Sequence, residues 1–138
     1  MKIHLTAERN LLLACFDEPG LEIVPGEEHV HFAALEMFAS SLALCTASVL
    51  VSYAQVLKAD LSALSIRIRW DYAEGPYRVG RMRMDLDWPG LPENRHKAVL
   101  KAARRCTVHH TLTHPPEIET HIEEGSAGVG SEAGGSPA

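Results

Sequence analysis

Two cysteines, Cys45 and Cys106, are the residues whose type and surroundings first indicate chemistry. Cys45 lies midway along an apolar segment, where a thiol is usually an inert packing residue. Cys106 follows Arg104 and Arg105, and cationic neighbours favour the thiolate, which is the reactive form of cysteine. Adjacent residues of a helix diverge by about 100°, however, so neighbours in sequence need not be in contact. The two cysteines therefore indicate thiol chemistry, while a structural role for each stays open.

Metal binding is the competing chemistry for Cys106. His109 and His110 follow it at one-turn helical spacing, which could place two ligands on one face. A structural zinc site needs four ligands, and the chain has no C-x-x-C pair to supply the others. The third cysteine, Cys15, falls in a strand-like segment and is expected to be a core residue. Three widely spaced cysteines do not make the disulfide framework of a small secreted protein.

The bulk composition restricts the classes of function. A chain of 138 residues is long enough for one domain with a real core. Its net charge of -5 makes it a poor partner for phosphate, so we expect no nucleic-acid binding. The first residues, MKIHLTAERN, lack an apolar signal segment, and we expect a cytoplasmic protein. The chain has no dinucleotide loop, P-loop or G-x-S-x-G elbow, which leaves thiol chemistry as the best-supported reaction type.

A long apolar helix is predicted over residues 29–57, because this stretch contains neither Gly nor Pro. Residues 37–57 carry no charge, and a helix that is apolar all round is buried in protein or in lipid. Interior hydroxyl residues and flanks without a basic cluster argue against a membrane span. A chain of this size cannot cover such a helix on every side, so we expect a homodimer built around it.

Two strands are predicted after this helix. Residues 64–72 and 82–88 alternate apolar with charged side chains, which is typical of strands with one buried and one solvated face. The turn residues 73–76 between them predict an antiparallel hairpin, and the alternating Arg and Asp residues suit cross-strand pairs on its solvated face. The hairpin separates two helices, so the predicted class is α+β and not doubly wound α/β.

The remaining segments complete a single predicted domain over residues 1–122. Short strands are predicted within residues 1–24, a second helix over residues 92–112 and a final strand over residues 117–122. The Gly/Ser/Ala-rich tail, residues 123–138, has no means of burying itself and is expected to be disordered.

Two motifs resemble those of the OsmC/Ohr family (osmotically inducible protein C and organic hydroperoxide resistance protein). The stretch LEMFASSLALCTASVLVSYA, around Cys45, is similar to the central helix of that family. The stretch RRCTVHHTLTHPPEIETHI, around Cys106, is similar to its second cysteine motif, and an antiparallel hairpin within the 61-residue gap between the cysteines also suits the family. The resemblance, over residues 30–122, implies an OsmC-like fold in which an antiparallel sheet wraps long central helices in an intertwined homodimer.

The resemblance implies a thiol-dependent peroxidase that reduces organic hydroperoxides in oxidative-stress defence. Cys45 matches the peroxidatic cysteine, whose thiolate attacks the O–O bond and becomes a sulfenic acid. Cys106 matches the resolving cysteine, which converts the sulfenic acid into a disulfide, as a neighbouring thiol readily does. A dithiol, lipoyl-linked in the Ohr branch, reduces the disulfide again, and neither a metal nor an organic cofactor is needed.

Two further candidates, Glu36 and Arg9, come from the same resemblance. The peroxidase branches have a Glu ten residues before the first cysteine; here that position is Leu35, and Glu36 stands next to it. Nine residues of helix correspond to about 900° of rotation, which places Glu36 opposite Cys45, where it could serve a partner subunit's site or an ion pair. Arg9 is the one arginine in the N-terminal hairpin, where the family holds a thiolate-stabilising arginine. The alternative function is a binding or stress-protective dimer of the same fold without peroxidase turnover.

Overall fold

The computed structural model describes residues 1–24, 26 and 31–123, and those residues form one sheet and three helices. The elements are, in chain order, β1 (Lys2–Ala7), β2 (Asn10–Ala14), β3 (Glu22–Val24), α1 (Ala34–Leu57), β4 (Ser65–Ala73), β5 (Arg78–Asp87), α2 (Glu93–Ala103) and α3 (Thr107–Thr113). The predicted α+β class, the short N-terminal strands and the central hairpin are confirmed. Most of the predicted tail, residues 124–138, lies outside the described residues, and the intertwined dimer stays a prediction.

The sheet has five strands in the order β3-β1-β2-β4-β5 within the described residues. The pairs β1–β2, β2–β4 and β4–β5 are antiparallel, whereas β1 and β3 run parallel. The parallel pair arises because the chain crosses the end of the sheet between β2 and β3 through the turn that contains Pro19 and Gly20. The link from β2 to β4 is long, and α1 occupies it, so that the helix lies against the sheet.

The apolar side chains of the strands form one face of the sheet. Their alternation with polar residues places every second side chain on that face, as the period of two requires. The fully or almost fully buried members are Ile3, Leu5, Leu11, Leu13, Ile66, Ile68 and Trp70. They pack against a face of α1 formed by Ala39, Ala43, Ala47, Leu50 and Ala54. The core of the domain therefore lies between the sheet and this one face of α1.

The other face of β4 and β5 is charged and solvated, as predicted. Asp85 accepts hydrogen bonds from the guanidinium groups of both Arg69 on the neighbouring strand and Arg83 on its own strand. These contacts hold the pKa of the Asp85 carboxyl below its ordinary value, with Arg69 the larger cause. The predicted cross-strand Arg–Asp pairing is thus present, at an exposed site where it adds little stability.

Helix α1 begins later than the predicted start. Residue 29 lies outside the described residues, but residues 31–33 are not helical, and the first helical residue is Ala34. The carboxylate of Glu36 accepts a hydrogen bond of 3.0 Å from the backbone N–H of Ala33, which satisfies a free donor at the helix start. The helix ends at Leu57, and the left-handed backbone conformation of Lys58 closes it.

By length and composition α1 could cross a membrane. Its alanine face is, however, buried against the sheet, which is the arrangement of a core helix in a soluble protein. Helices that are apolar all round are buried in protein or in lipid. The packing on the sheet shows that the alanine face of α1 is buried in protein.

The single helix predicted over residues 92–112 is two helices. Helix α2 ends at Ala103, and α3 begins at Thr107 after Cys106 adopts an extended backbone conformation. Cys106 and Thr107 have lower helix propensities than the alanines of α2, and the break lets Cys106 bury its side chain completely. The continuous prediction was wrong because tertiary burial at this point outweighs the local helical pattern.

The strand predicted over residues 117–122 is absent. These residues have no strand partner in the described part of the chain, and Ile118 and Ile122 are 84% and 93% exposed. A strand requires the backbone of a neighbour for its hydrogen bonds, so an alternating pattern alone cannot form one. The segment is therefore an extended, solvent-exposed end of the domain.

A bulge in β5 requires a glycine at position 80. Asp71 pairs with Arg81 and Tyr72 with Val79, which leaves Gly80 unpaired at the shift of register. A Cβ atom at Gly80 would collide with the Cβ of Ala73 on the facing strand. The close approach of the two backbones at this bulge therefore depends on the missing side chain.

We expect Gly80→Ala to lower the free energy of unfolding by about 1–3 kcal/mol, because one strand must shift to relieve the collision. Urea denaturation of parent and variant measures the difference. The double variant Gly80→Ala/Ala73→Gly removes the atom that is struck and should recover most of the loss. A single variant as stable as the parent would show that the bulge does not depend on glycine.

Candidate active site

Two thiols from distant parts of the chain meet beside α1. Cys45 lies near the middle of α1, and Cys106 lies at the junction of α2 and α3, both of which pack on α1. Each thiol is among the groups that shift the pKa of the other, so the two side chains are neighbours, and both are free cysteines. The structure thus brings together the two residues that the sequence predicts as a redox pair.

Cys45 is the thiol that is prepared to ionise. Burial raises its pKa, but the Cys106 thiol and the backbone N–H groups of Val108 and Thr107 act on its sulfur and bring the pKa below the ordinary value. These N–H groups belong to the first turn of α3, where backbone donors have no partner inside the helix. Donors of fixed position thus favour the thiolate, although the sulfur is half-buried.

Cys106 has the opposite tendency. Its side chain is completely buried, and burial raises the pKa of its thiol. The neighbouring Cys45 thiol raises the pKa of Cys106 further. The backbone N–H of His109 and the hydroxyl of Thr46 act in the other direction without reversing the shift. Cys45 is therefore the more readily ionised of the two thiols, and Cys106 is the one that more readily keeps its proton.

Cys106 also has a structural role at the start of α3. Its sulfur accepts a hydrogen bond of 3.4 Å from the backbone N–H of His109, which makes it the N-cap of this helix. The cap orients the first turn of α3, and with it the N–H groups of Thr107 and Val108 that act on Cys45. The Cys106 side chain thus helps to position the backbone N–H groups that act on the Cys45 sulfur.

Glu36 and Arg9 make their contacts away from the two cysteines. Glu36 caps the start of α1, two and a half turns before Cys45. Arg9 lies in the turn between β1 and β2 with a left-handed backbone, and its guanidinium stacks over the ring of Tyr72 at 4.5 Å and lies 3.8 Å from Glu8. Neither residue is among the groups that shift the pKa of Cys45. Their catalytic roles stay predictions.

The other chemistry considered from sequence finds little support. In residues 1–24, 26 and 31–123, no three His, Cys, Asp or Glu side chains are grouped closely enough to hold a metal ion. Cys106 and His109 meet through a backbone N–H and not as a pair of metal ligands. Cys15 was expected inside a strand; it instead follows β2, half-buried and with a left-handed backbone, because the chain turns there.

An apolar groove lies between α1, β5 and the last two helices. Its volume is about 730 Å³. The apolar lining residues are Leu35, Phe38 and Leu42 of α1, Val79, Met82, Met84 and Leu86 of β5, and Leu100, Ala103 and Leu112 of the last two helices. Arg81, Arg104 and His109 add cationic or protonatable groups at its border. Leu42 is one turn from Cys45, and His109 is one turn from Cys106, but neither cysteine is among the lining residues.

The groove exists because α1 covers only part of the sheet. Met84 and Leu86 lie opposite the buried Ile68 and Ile66 and share their face of the sheet. Helix α1 packs on β2 and β4, and the apolar side chains of β5 stay partly exposed beside it.

Sequence reasoning missed the groups that set the two pKa values. The N–H donors of Thr107 and Val108 depend on the break between α2 and α3, which a continuous helical pattern conceals. Thr46 follows Cys45 directly, and its approach to Cys106 depends on how α1 packs. A weak signal was present, since Cys106 and Thr107 interrupt a run of good helix formers.

We expect iodoacetamide to alkylate Cys45 at lower pH than an ordinary thiol and faster than Cys106, in protein whose Cys15 is replaced by serine. Cys106→Ala removes the thiol donor, so the midpoint of Cys45 alkylation should move to higher pH. Cys106→Ser retains a donor and should stay nearer to the parent. Peptide mass spectrometry over a pH series measures each site, and equal midpoints in all three proteins would contradict the stated cause.

The comparisons with known proteins agree with this fold. The family model described as OsmC-like protein matches residues 26–121. A crystal structure from Psychrobacter arcticus, provisionally named for an osmotic stress induced and detoxification response, has a TM-score of 0.55 at 16% identity, over 79% of this chain and 84% of that chain. At this identity the likeness shows the fold alone. The comparison with curated proteins finds no match. Because the family model spans well over half of the chain, the protein belongs to the OsmC-like family.

Proposed function

We propose that the protein is a thiol-dependent peroxidase that reduces organic hydroperoxides in the cytoplasm, as part of oxidative-stress defence. The observation that carries the proposal is the pair of free thiols whose pKa values shift in opposite directions, Cys45 downwards and Cys106 upwards. A peroxidatic cysteine must be a thiolate at neutral pH, and a resolving cysteine must wait as a thiol beside it. Membership of the OsmC-like family supports the same reading.

In the proposed first step the Cys45 thiolate attacks one oxygen of the hydroperoxide. A sulfur–oxygen bond forms, the O–O bond breaks, and the departing alkoxide takes up a proton to become an alcohol. Cys45 is thereby oxidised to sulfenic acid. Cys106 then attacks the Cys45 sulfur, which forms a disulfide and releases water. Each turnover therefore converts one hydroperoxide and two thiols into alcohol, water and disulfide.

The apolar groove supports an organic substrate over hydrogen peroxide. Its aliphatic and methionine lining would bury an alkyl or acyl chain, whereas a small polar peroxide gains nothing from such a surface. Leu42 and His109 of the lining are one turn from Cys45 and Cys106, and we propose that the hydroperoxide end of a bound chain reaches the thiols from the groove.

An external dithiol must complete the cycle, since the chain reduces its substrate at the expense of its own two thiols. We propose that this reductant is a dithiol such as a lipoyl group, which attacks the disulfide and leaves as a disulfide itself. Neither a metal nor an organic cofactor takes part in the proposed cycle.

We further propose that the protein works as a homodimer that joins through the serine face of α1. This face comprises Ser41, Ser48 and Ser52, which lie at i-4, i+3 and i+7 from Cys45 and on the same side of the helix. Each hydroxyl donates to a backbone carbonyl of its own helix, at 2.7, 3.0 and 3.1 Å. Because these hydroxyls are already satisfied, a second helix could cover the face without leaving a buried polar group unpaired.

A second function, a binding or stress-protective dimer without turnover, is favoured by one observation. The groups that lower the pKa of Cys45 are a thiol and backbone N–H groups, and no Arg or Lys of the described residues is among them. A cation near the sulfur would assist peroxide cleavage, and Arg9 and Glu36 are the residues proposed from the family to complete the site. The peroxide experiment below separates the two functions.

We expect stoichiometric cumene hydroperoxide to convert the Cys15→Ser protein rapidly into a form with one disulfide between Cys45 and Cys106. Cys45→Ser in this background should lose the reaction. Cys106→Ser should stop at a sulfenic acid, which a dimedone probe traps and mass spectrometry locates. Slow or absent thiol loss in all three proteins would remove the peroxidase function and leave the binding function.

For the dimer, we expect Ser48→Glu to weaken association at least about tenfold, because a buried unpaired carboxylate is costly. Analytical ultracentrifugation over a dilution series measures the effect. Asn94→Glu, at an exposed position of α2, adds the same charge away from the serine face and should associate like the parent. A monomeric parent, or a Ser48→Glu protein that associates unchanged, would contradict the proposed interface.

A further inference from the structure

The hydroxyl of Thr46 is completely buried and has no hydrogen-bond partner. Serine and threonine hydroxyls inside helices commonly donate to the carbonyl of the preceding turn. Ser48 and Ser52 of the same helix do so. Thr46 does not, although it lies on the same helix, so its hydroxyl retains a free donor in the interior of the protein.

The position of Thr46 on α1 directs it towards the second thiol. It follows Cys45 and is therefore rotated by about 100° from it, away from the serine face. Cys106, which is also completely buried, lies on that side, and the Thr46 hydroxyl acts on its sulfur and lowers the pKa of this thiol. The hydroxyl and the sulfur are thus neighbours, without yet forming a well-aligned hydrogen bond.

We propose that Thr46 is a positioning residue for the resolving step, in which its hydroxyl donates a hydrogen bond to the Cys106 sulfur as that sulfur loses its proton. This inference rests on the proposed peroxidase function and assigns the order in which the two thiols become charged. In the reduced site Cys45 is the more readily ionised of the two thiols. After Cys45 has become a sulfenic acid, the negative charge must form on Cys106.

The resolving step joins the two sulfurs and releases water. The Cys106 thiolate attacks the Cys45 sulfur, an S–S bond forms, and the S–O bond of the sulfenic acid breaks. The departing hydroxide takes up the proton that Cys106 released and becomes water. Donors that are fixed in place before a negative charge develops stabilise that charge without having to reorganise. The hydroxyl of Thr46, which is buried and has no other partner, is such a donor.

Few other groups can stabilise this charge. The groups that act on the Cys106 sulfur are Cys45 and Thr46 of α1 and the backbone N–H of His109 of α3. Cys45 opposes its ionisation, and the His109 N–H already caps α3. Arg104 and Arg105, the chain neighbours, are exposed and do not contribute to the shift of this thiol. Within residues 1–24, 26 and 31–123, Thr46 is therefore the one side-chain hydroxyl among the groups that act on Cys106.

The first test compares Thr46→Val and Thr46→Ser in the Cys15→Ser protein. Valine has nearly the shape of threonine without the hydroxyl, and serine retains the hydroxyl. Sulfenic acid formation and disulfide formation are timed separately, by quenching with dimedone or with acid after mixing with cumene hydroperoxide. We expect Thr46→Val to slow disulfide formation about tenfold at neutral pH, the effect of losing one hydrogen bond to a charged group. The pH profile of disulfide formation in Thr46→Val should also move to higher pH. Thr46→Ser should restore both the rate and the pH profile of disulfide formation. Sulfenic acid formation should keep the parent rate in both variants.

The second test does not depend on turnover. In Cys15→Ser/Cys45→Ser protein, ultraviolet absorbance of the thiolate follows the ionisation of Cys106 alone. We expect Thr46→Val to move this titration to higher pH and Thr46→Ser to leave it near the parent. If the parent forms no sulfenic acid with hydroperoxide, the peroxidase function fails, and the titration still decides whether Thr46 acts on Cys106. An unchanged titration, or an unchanged resolving rate and pH profile in an active protein, overturns the role of Thr46.

Discussion

The contact between the alanine face of α1 and the sheet is the constraint from which the site follows. Ala39, Ala43, Ala47 and Ala54 are almost completely buried against the strands. Small side chains allow the helix to approach the sheet closely, and this fixes which direction every other residue of α1 faces. Cys45 is nine residues before Ala54 and therefore points about 180° away from the sheet. The Cys45 thiol is thus placed on the outer side of the helix by packing on its inner side.

The packing of α2 and α3 beside α1 is the second consequence of this contact. With one face committed to the sheet, α2 and α3 pack beside the helix and leave its serine face open. The chain must break between α2 and α3 to bury Cys106 against α1, and the break exposes the N–H groups that act on Cys45. Burial raises the pKa of both thiols, yet they acquire opposite tendencies, because the neighbouring groups lower the pKa of Cys45 below its ordinary value and do not do so for Cys106.

The elements of the fold that one local pattern decides could be predicted from the sequence. The alternation through Ile66, Ile68 and Trp70 defines a buried strand face, and the apolar run around Cys45 defines a core helix. The pairing of Cys45 with Cys106 followed from family motifs and not from periodicity. The break at Cys106 was hidden, because the helical pattern continues through it while burial and capping decide the backbone there. The strand over residues 117–122 failed for a related reason, since a strand depends on a partner that its own sequence does not contain.

The separation of the two thiols along the chain has a further consequence. Cys45 and Cys106 are 61 residues apart, and the hairpin of β4 and β5 together with α2 lies between them. A bond between their sulfurs would close a loop of this length, and in the chain-entropy description such a closure removes about 4 kcal/mol of freedom from the unfolded chain. The protein would then be hardest to unfold just after it has been oxidised. Its thermal resistance, and with it its lifetime against proteolysis, would rise and fall with the redox state of its surroundings.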